Sequence, residues 1–337
     1  MTTRHPSAIL AAGLVALAAA AAPAAELRTM PAKPGSPAEI VAWQQRLRAK
    51  LWKLLKMEDL VANGAQTPFD PQTLNTWDMG NYVAKKMTIR ATPGRVITIV
   101  ITLPKSGPGP HPAVVCIGGH GSALYSTYAN GKAFADAAPR GGDAIYKGFA
   151  AELAKQGYVT IATVVSQHNI SEPGRTLMGE RLWDLMRCVS FLGTLPEVDK
   201  ARIGCGGLSL GGEMAMWLPA MDTRVAATVS SGFLIVMDEM EHGHCMCWKF
   251  EGLRELVDYA DIFALIAPRP LECQNGRKES PQGGFPPALA EKAMGDIRPI
   301  YASFGKLGNV NLDIHDGAHE IDLPALLTFF DQHLKGK

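Results

Sequence analysis

Apolar positions along this chain follow two successive rhythms. Ile40, Trp43, Leu47, Leu51 and Leu54 recur at helical spacing, which predicts an amphipathic helix running to about residue 55. Ser36-Pro37-Ala38-Glu39 supplies a capping box for it, with proline at the first helical position. The pattern then becomes strand-like. Residues 82–89 alternate in part, residues 95–103 are rich in Ile, Val and Thr, and Thr92-Pro93-Gly94 reads as the turn between them. From residue 112 onward, apolar runs suited to buried strands alternate with helical patterns. Strands are expected at 112–118, 158–165, 225–230, 269–274 and 309–314, with one more just before Ser209. Helices are expected at 147–156, 177–195, 253–265 and 321–334, with one more just after Ser209.

Strands separated by helices imply right-handed crossovers, so the fold class is α/β. The expected architecture is a mostly parallel central sheet with helices on both faces and antiparallel strands only at the N-terminal edge. No internal repeat is evident. The chain divides into residues 1–25, an extension at 26–80 that carries the amphipathic helix, and one domain at 81–337.

The first of these segments reads as a secretory signal. Arg4 and His5 precede an alanine- and leucine-rich run at 8–20, and Ala22-Pro23-Ala24-Ala25 offers small residues for cleavage. The run is short for a membrane span. Cleavage near Ala24 or Ala25 is expected, leaving a periplasmic or secreted protein with no membrane attachment. Against 32 acidic residues stand 33 basic ones, for a net charge of +1. The basic residues are scattered, which argues against nucleic acid or an anionic surface as partner. Cys116, Cys205 and Cys273 lie in apolar strand-like runs and are expected to behave as small buried hydrophobes.

The chemistry centres on Gly207-Leu208-Ser209-Leu210-Gly211, which stands between a strand pattern and a helix pattern. That is the arrangement of a nucleophile elbow, whose sharp turn lifts a serine hydroxyl clear of the backbone. The following helix points its positive end and its first N–H groups at the same place. Gly118-Gly119-His120-Gly121 follows an earlier buried strand. There the N–H of His120 or Gly121 would complete an oxyanion hole with that of Leu210. A general base is best placed at His319, in the loop between the last strand and the last helix. His315 and His333 are weaker competitors. The acid that orients it is expected at Glu279, just after the penultimate strand. Asp238 and Glu239 in the preceding loop are the rivals, with Asp313 behind them.

Other residues are candidates for the pocket wall. Arg175 and Trp183 are candidate substrate-binding residues, Trp183 as a stacking face for a sugar. The bland alternatives are helix packing for Trp183 and a surface ion pair for Arg181 and Asp184, and these are favoured for all but Arg175. His242-Gly243-His244-Cys245-Met246-Cys247 has the residue types of a zinc site. Four ligands within six residues would be cramped, however, and no separated second pair is evident. The segment is therefore expected to be structural or part of the pocket wall, and neither a metal nor a cofactor is expected.

Taken together, residues 83–334 resemble the α/β-hydrolase superfamily, and within it bacterial acetyl xylan esterases and dienelactone-hydrolase-like esterases. The resemblance rests on the 118–121 loop, residues 179–184, 195–199, 207–212 and 265–270, and the His319 loop. It implies a serine–histidine–acid triad of Ser209, His319 and Glu279, an acyl-enzyme, and no cofactor. The implied substrate is a small-molecule or carbohydrate ester, such as an acetyl ester of a plant polysaccharide. Such relatives commonly carry aspartate where this chain has Glu279. A prolyl-oligopeptidase-like peptidase is a competing reading, but the N-terminal part is too short for the large propeller of those enzymes. A non-catalytic binding protein of the same fold is the other.

Overall fold

The computed structural model describes residues 27–105, 107–128 and 141–336, together with Met1. The predicted signal and its cleavage point lie outside the described residues. In chain order the elements begin with helices α1 (Pro37–Leu54) and α2 (Glu58–Asn63). Strands β1 (Gln72–Asp78), β2 (Tyr82–Thr92), β3 (Arg95–Pro104) and β4 (His111–Ile117) follow. Then come α3 (Phe149–Lys155), β5 (Val159–Thr163), α4 (Leu177–Leu192), β6 (Val198–Leu208), α5 (Leu210–Met221) and β7 (Val225–Ser231). The C-terminal part holds α6 (Met237–Met240), α7 (Leu253–Leu256), α8 (Tyr259–Ala264), β8 (Leu271–Gly276), α9 (Pro287–Ser303), β9 (Val310–His315) and α10 (Leu323–Phe330).

The strands form one sheet in the order β1-β2-β3-β5-β4-β6-β7-β8-β9. β1, β2 and β3 pair antiparallel, as do β3 and β5. Every pairing from β5 through β4 to β9 is parallel. The expected α/β architecture is thus observed. One apolar layer packs α1, α4, α5, α8 and α9 on one face of the sheet, and a second packs α3 and α10 on the other. Cys116, Cys205 and Cys273 are fully buried in these layers, as their apolar contexts predicted.

The capping box at α1 is formed: Glu39 Oε2 accepts from the Ser36 N–H at 2.8 Å, and the Ser36 side chain accepts from the Glu39 N–H. Its inward face buries Ile40, Gln44, Leu47 and Leu51. The Gln44 amide donates to the carbonyls of Ala264 and Ala267 at 3.1 and 2.8 Å, and Arg48 donates to those of Ala220 and Leu265 at 2.7 and 2.6 Å.

Several boundaries differ from expectation for physical reasons. The strand β1 was not foreseen, because it is an edge strand with mostly exposed residues and carries no apolar run. The helix α9 was also missed. Gly295 and Pro299 interrupt its pattern, although Ala290, Ala293, Met294, Ile297, Ile300 and Tyr301 form its buried face. The helix expected at 253–265 is broken into α7 and α8. Val257 is extended, and Asp258 starts a new capping box with Asp261.

Candidate active site

β6 delivers the chain to Ser209 at φ 64° and ψ −124°, and α5 starts at the next residue. This is a conformation that residues with a β-carbon rarely adopt. The Ser209 N–H is anchored to the Ser231 carbonyl on β7 at 3.0 Å. The turn is crowded. A β-carbon on Gly207 would stand 2.4 Å from the Gly211 oxygen, and one on Gly211 would stand 2.3 Å from the Ile117 oxygen. Glycine on both sides of the serine therefore lets the elbow press against the end of β4. Leu210 holds the first helical position, where the backbone N–H has no partner within the helix.

The loop after β4 lies against this turn. The Gly119 N–H donates to the Tyr146 hydroxyl at 2.7 Å, so that amide is already engaged. His120 lines the same cavity as Ser209 and Leu210, and Gly121 turns the chain at φ 69°.

Opposite the elbow, His319 Nδ1 lies 2.8 Å from Glu279 Oε1. The Glu279 side chain is 2 % exposed and that of His319 33 %. The second carboxylate oxygen accepts the Phe285 N–H at 3.3 Å, and the Phe285 ring stacks on the imidazole at 5.5 Å and 17°. Gly232 stands behind the ring, where a β-carbon would come within 2.9 Å of His319 Cε1. Held by its Nδ1, the imidazole keeps Nε2 for proton transfer. Ser209, His319 and Glu279 share a cavity of about 510 Å³ with His120, Glu213, Phe233, Met240, His244 and Phe285 among its walls.

The competing acids and bases are engaged elsewhere. Asp238 is exposed and pairs with Arg254. His315 Nδ1 accepts the Gly317 N–H at 3.1 Å, and the His333 ring contacts Phe329. Neither these residues nor Glu239 and Asp313 line the cavity.

Arg175 is a correction, and Trp183 takes the helix-packing alternative rather than a substrate-binding place. Arg175 donates to the Lys56 carbonyl at 2.7 Å and pairs with Asp59, so it faces the N-terminal extension. Trp183 is 5 % exposed, donates its indole N–H to the Ala91 carbonyl at 2.8 Å and packs against Gly64. Neither lines the cavity. The surface pair of Arg181 and Asp184 is likewise not formed. Asp184 is buried and grips Arg95 at 2.6 and 2.7 Å. Burial outweighs that partner and pushes its carboxyl up to about 7.

Sequence reasoning missed Glu213 and Phe285. Glu213 follows Ser209 by one helical turn, and that spacing was the available signal. Burial pushes its carboxyl up to about 8, opposed by the charge of Arg181, so it is neutral at pH 7. Phe285 gave no signal, because its place depends on how the loop after Glu279 folds.

A serine elbow between β6 and α5, an acid after β8 and a histidine after β9 define a protein of the α/β-hydrolase class. The chain belongs to the Abhydrolase family, which it matches over residues 22–280. Among solved structures it is similar to a glucuronoyl esterase from Solibacter usitatus, with 15 % identity and a TM-score of 0.67 over 91 % of this chain and 97 % of that one. It is also similar to an acetyl xylan esterase from Paenibacillus sp. R4, with 16 % identity and a TM-score of 0.57 over 90 % and 98 % of the two chains. At such identities the likeness establishes the fold. The YtaP protein of Bacillus subtilis (strain 168) is 26 % identical over 102 residues, which cover 29 % of this chain and only 34 % of that protein.

Proposed function

We propose that this protein is an exported serine esterase that hydrolyses carboxylic esters, with acyl or uronoyl esters of plant polysaccharides as the substrate class. The observation that carries the reading is the 2.8 Å His319–Glu279 contact in one cavity with the strained Ser209. His319 Nε2 takes the Ser209 proton as Oγ attacks the ester carbonyl. The tetrahedral oxyanion is held by the Leu210 N–H at the positive end of α5 and by an N–H of the His120–Gly121 loop. Collapse expels the alcohol, which receives the proton from His319. Water activated by the same imidazole then releases the acid and frees Ser209. Glu279 fixes the ring and stabilises the imidazolium.

The cavity supports an ester of moderate size with polar substituents, since His120, Glu213, His244 and Lys278 share its walls with Phe233 and Phe285. The carbohydrate esterases among the similar structures support the same substrate class. Export rests on the segment at 1–25. No helix of the described residues is long and apolar enough to cross a membrane.

The test is an activity panel of acetyl, feruloyl, glucuronoyl-methyl and lactone substrates, run beside a fluorophosphonate probe. Ser209→Ala should lose labelling and at least ~10³-fold in kcat, and Glu279→Gln about 10³–10⁴-fold. Retention of esterase activity by Ser209→Ala would overturn the mechanism. A folded wild-type protein that never labels would favour the binding-protein reading.

A further inference from the structure

Beside the catalytic cavity, three loops distant in sequence bring together two imidazoles and two thiols. His120 comes from the loop after β4, His168 from the loop after β5, and Cys245 and Cys247 from the long segment between β7 and β8. Their ligand atoms all lie within 4.8 Å of one another. His120 Nε2 is 3.2 Å from Cys247 Sγ, and His168 Nε2 is 3.3 Å from Cys245 Sγ. The two imidazoles lie with ring centroids 5.4 Å apart.

This is the donor set and size of a tetrahedral zinc centre. With Zn–S near 2.3 Å and Zn–N near 2.0–2.1 Å, ligand atoms sit about 3.3–3.8 Å apart around the ion. The Cys-Met-Cys segment suits the task. Cys245 is extended, a 3₁₀ turn begins at Met246, and Met246 itself points outward and is exposed. Both sulfurs thereby face the imidazoles. A further group stands beside the thiols. Arg181 is fully buried, and its guanidinium donates to Cys247 Sγ at 3.4 Å. When a metal binds, the Cys247 thiolate would meet this guanidinium, in the way outer partners support metal-bound sulfur.

We infer that His120, His168, Cys245 and Cys247 bind one zinc ion as a closed four-ligand structural centre. The two thiols lose their protons as the Zn–S bonds form, the imidazoles bind through neutral Nε2, and no electrons are transferred. With all four positions taken by protein, the ion acts as a staple and leaves no open position for water. It ties the loop that holds the His120 and Gly121 amides to the wall segment that contains Cys245. None of its ligands belongs to the Ser209–His319–Glu279 set, but the His120 side chain would anchor the loop whose amides are assigned to the oxyanion hole, so the centre stands beside the proposed esterase chemistry at that loop.

The test uses the full-length protein purified without chelator. Elemental analysis should find one zinc per chain. Metal-free protein titrated with Co²⁺ should show the visible bands and sulfur charge-transfer absorption of a tetrahedral thiolate centre, and Zn²⁺ should displace them. Cys245→Ser/Cys247→Ser should lose the spectrum and the zinc, and His168→Gln should weaken Zn²⁺ binding by at least ~10-fold. If the double variant fails to fold, the wild-type cobalt spectrum and His168→Gln decide. A folded, reduced wild type that takes up no Zn²⁺, or a Cys245–Cys247 disulfide in the purified protein, would overturn the centre. So would a cobalt spectrum that survives the double cysteine change. Labelling of Ser209 by the fluorophosphonate probe, followed in the same samples, reports separately on the esterase reading.

Discussion

Ser209 pairs its hydroxyl with an unfavourable backbone, and the two can be separated by replacing it with alanine and with glycine. Both changes remove the nucleophile, so any difference between them belongs to the main chain. At φ 64° and ψ −124° a residue with a β-carbon is strained by about 1–3 kcal/mol. Glycine avoids that strain but loses about 0.5–1 kcal/mol more conformational entropy on folding. The Ser209 side chain makes no capping bond to α5, so neither variant sacrifices one. Ser209→Gly should therefore be more stable than Ser209→Ala by about 0.5–2 kcal/mol. For a chain of this size that corresponds to a Tm difference of about 1–5 °C. Urea and thermal unfolding followed by tryptophan fluorescence would measure it, and both variants should be inactive toward esters. A glycine variant no more stable than the alanine variant would show that the turn stores no strain, and the argument for a nucleophile elbow would lose its energetic basis.

Three further outcomes are expected. Gly232→Ala places a β-carbon 2.9 Å from His319 Cε1 on a backbone at φ 55°; displacing the ring should lower kcat by about 10–100-fold with about 1–2 kcal/mol of lost stability, and an unchanged kcat would contradict the packing described. Glu213, raised from 4.5 to about 8, contributes stability that is full below pH 4.5 and is lost as pH rises toward 8. The wild-type unfolding free energy should thus decline across that window more steeply than that of Glu213→Gln, and parallel denaturation curves for the two proteins would refute a neutral Glu213. Arg175→Ala should leave kcat and KM unchanged and cost up to about 1 kcal/mol, since Arg175 serves a surface pair with Asp59; a raised KM would return it to the pocket.

The parts of the site legible in the sequence were those fixed by local geometry and chain order. Gly207 and Gly211 announce a turn too tight for β-carbons, and the places of Glu279 and His319 after the last two strands follow from the parallel sheet. The acid's identity was open in sequence, and burial decides the geometry: Asp238 is solvated and paired with Arg254, whereas Glu279 is enclosed beside the imidazole. What stayed illegible depends on where loops travel. Arg175 precedes α4 and Trp183 lies in its second turn, both facing the extension, a direction that helical periodicity alone does not give. The edge strand β1 carries no buried face to reveal it. Cys245 and Cys247 looked cramped because the paired histidines at 120 and 168 lie far away in sequence and converge only through the ends of β4 and β5.

The contacts of α1 bear on what counts as the folding unit. Gln44 and Arg48 occupy carbonyls at the trailing ends of α5 and α8 that those helices cannot satisfy themselves. A buried carbonyl stripped of its donor costs about 1–3 kcal/mol, so a fragment starting at residue 81 would leave the Ala220 carbonyl at the far end of the nucleophile helix, and those of Ala264, Leu265 and Ala267 at the end of α8, without these donors. The amides of α1 and α5 should therefore exchange as one cooperative block, which native-state hydrogen exchange would measure. The extension that precedes the sheet in sequence is, in its hydrogen bonding, the foundation on which the serine's helix rests.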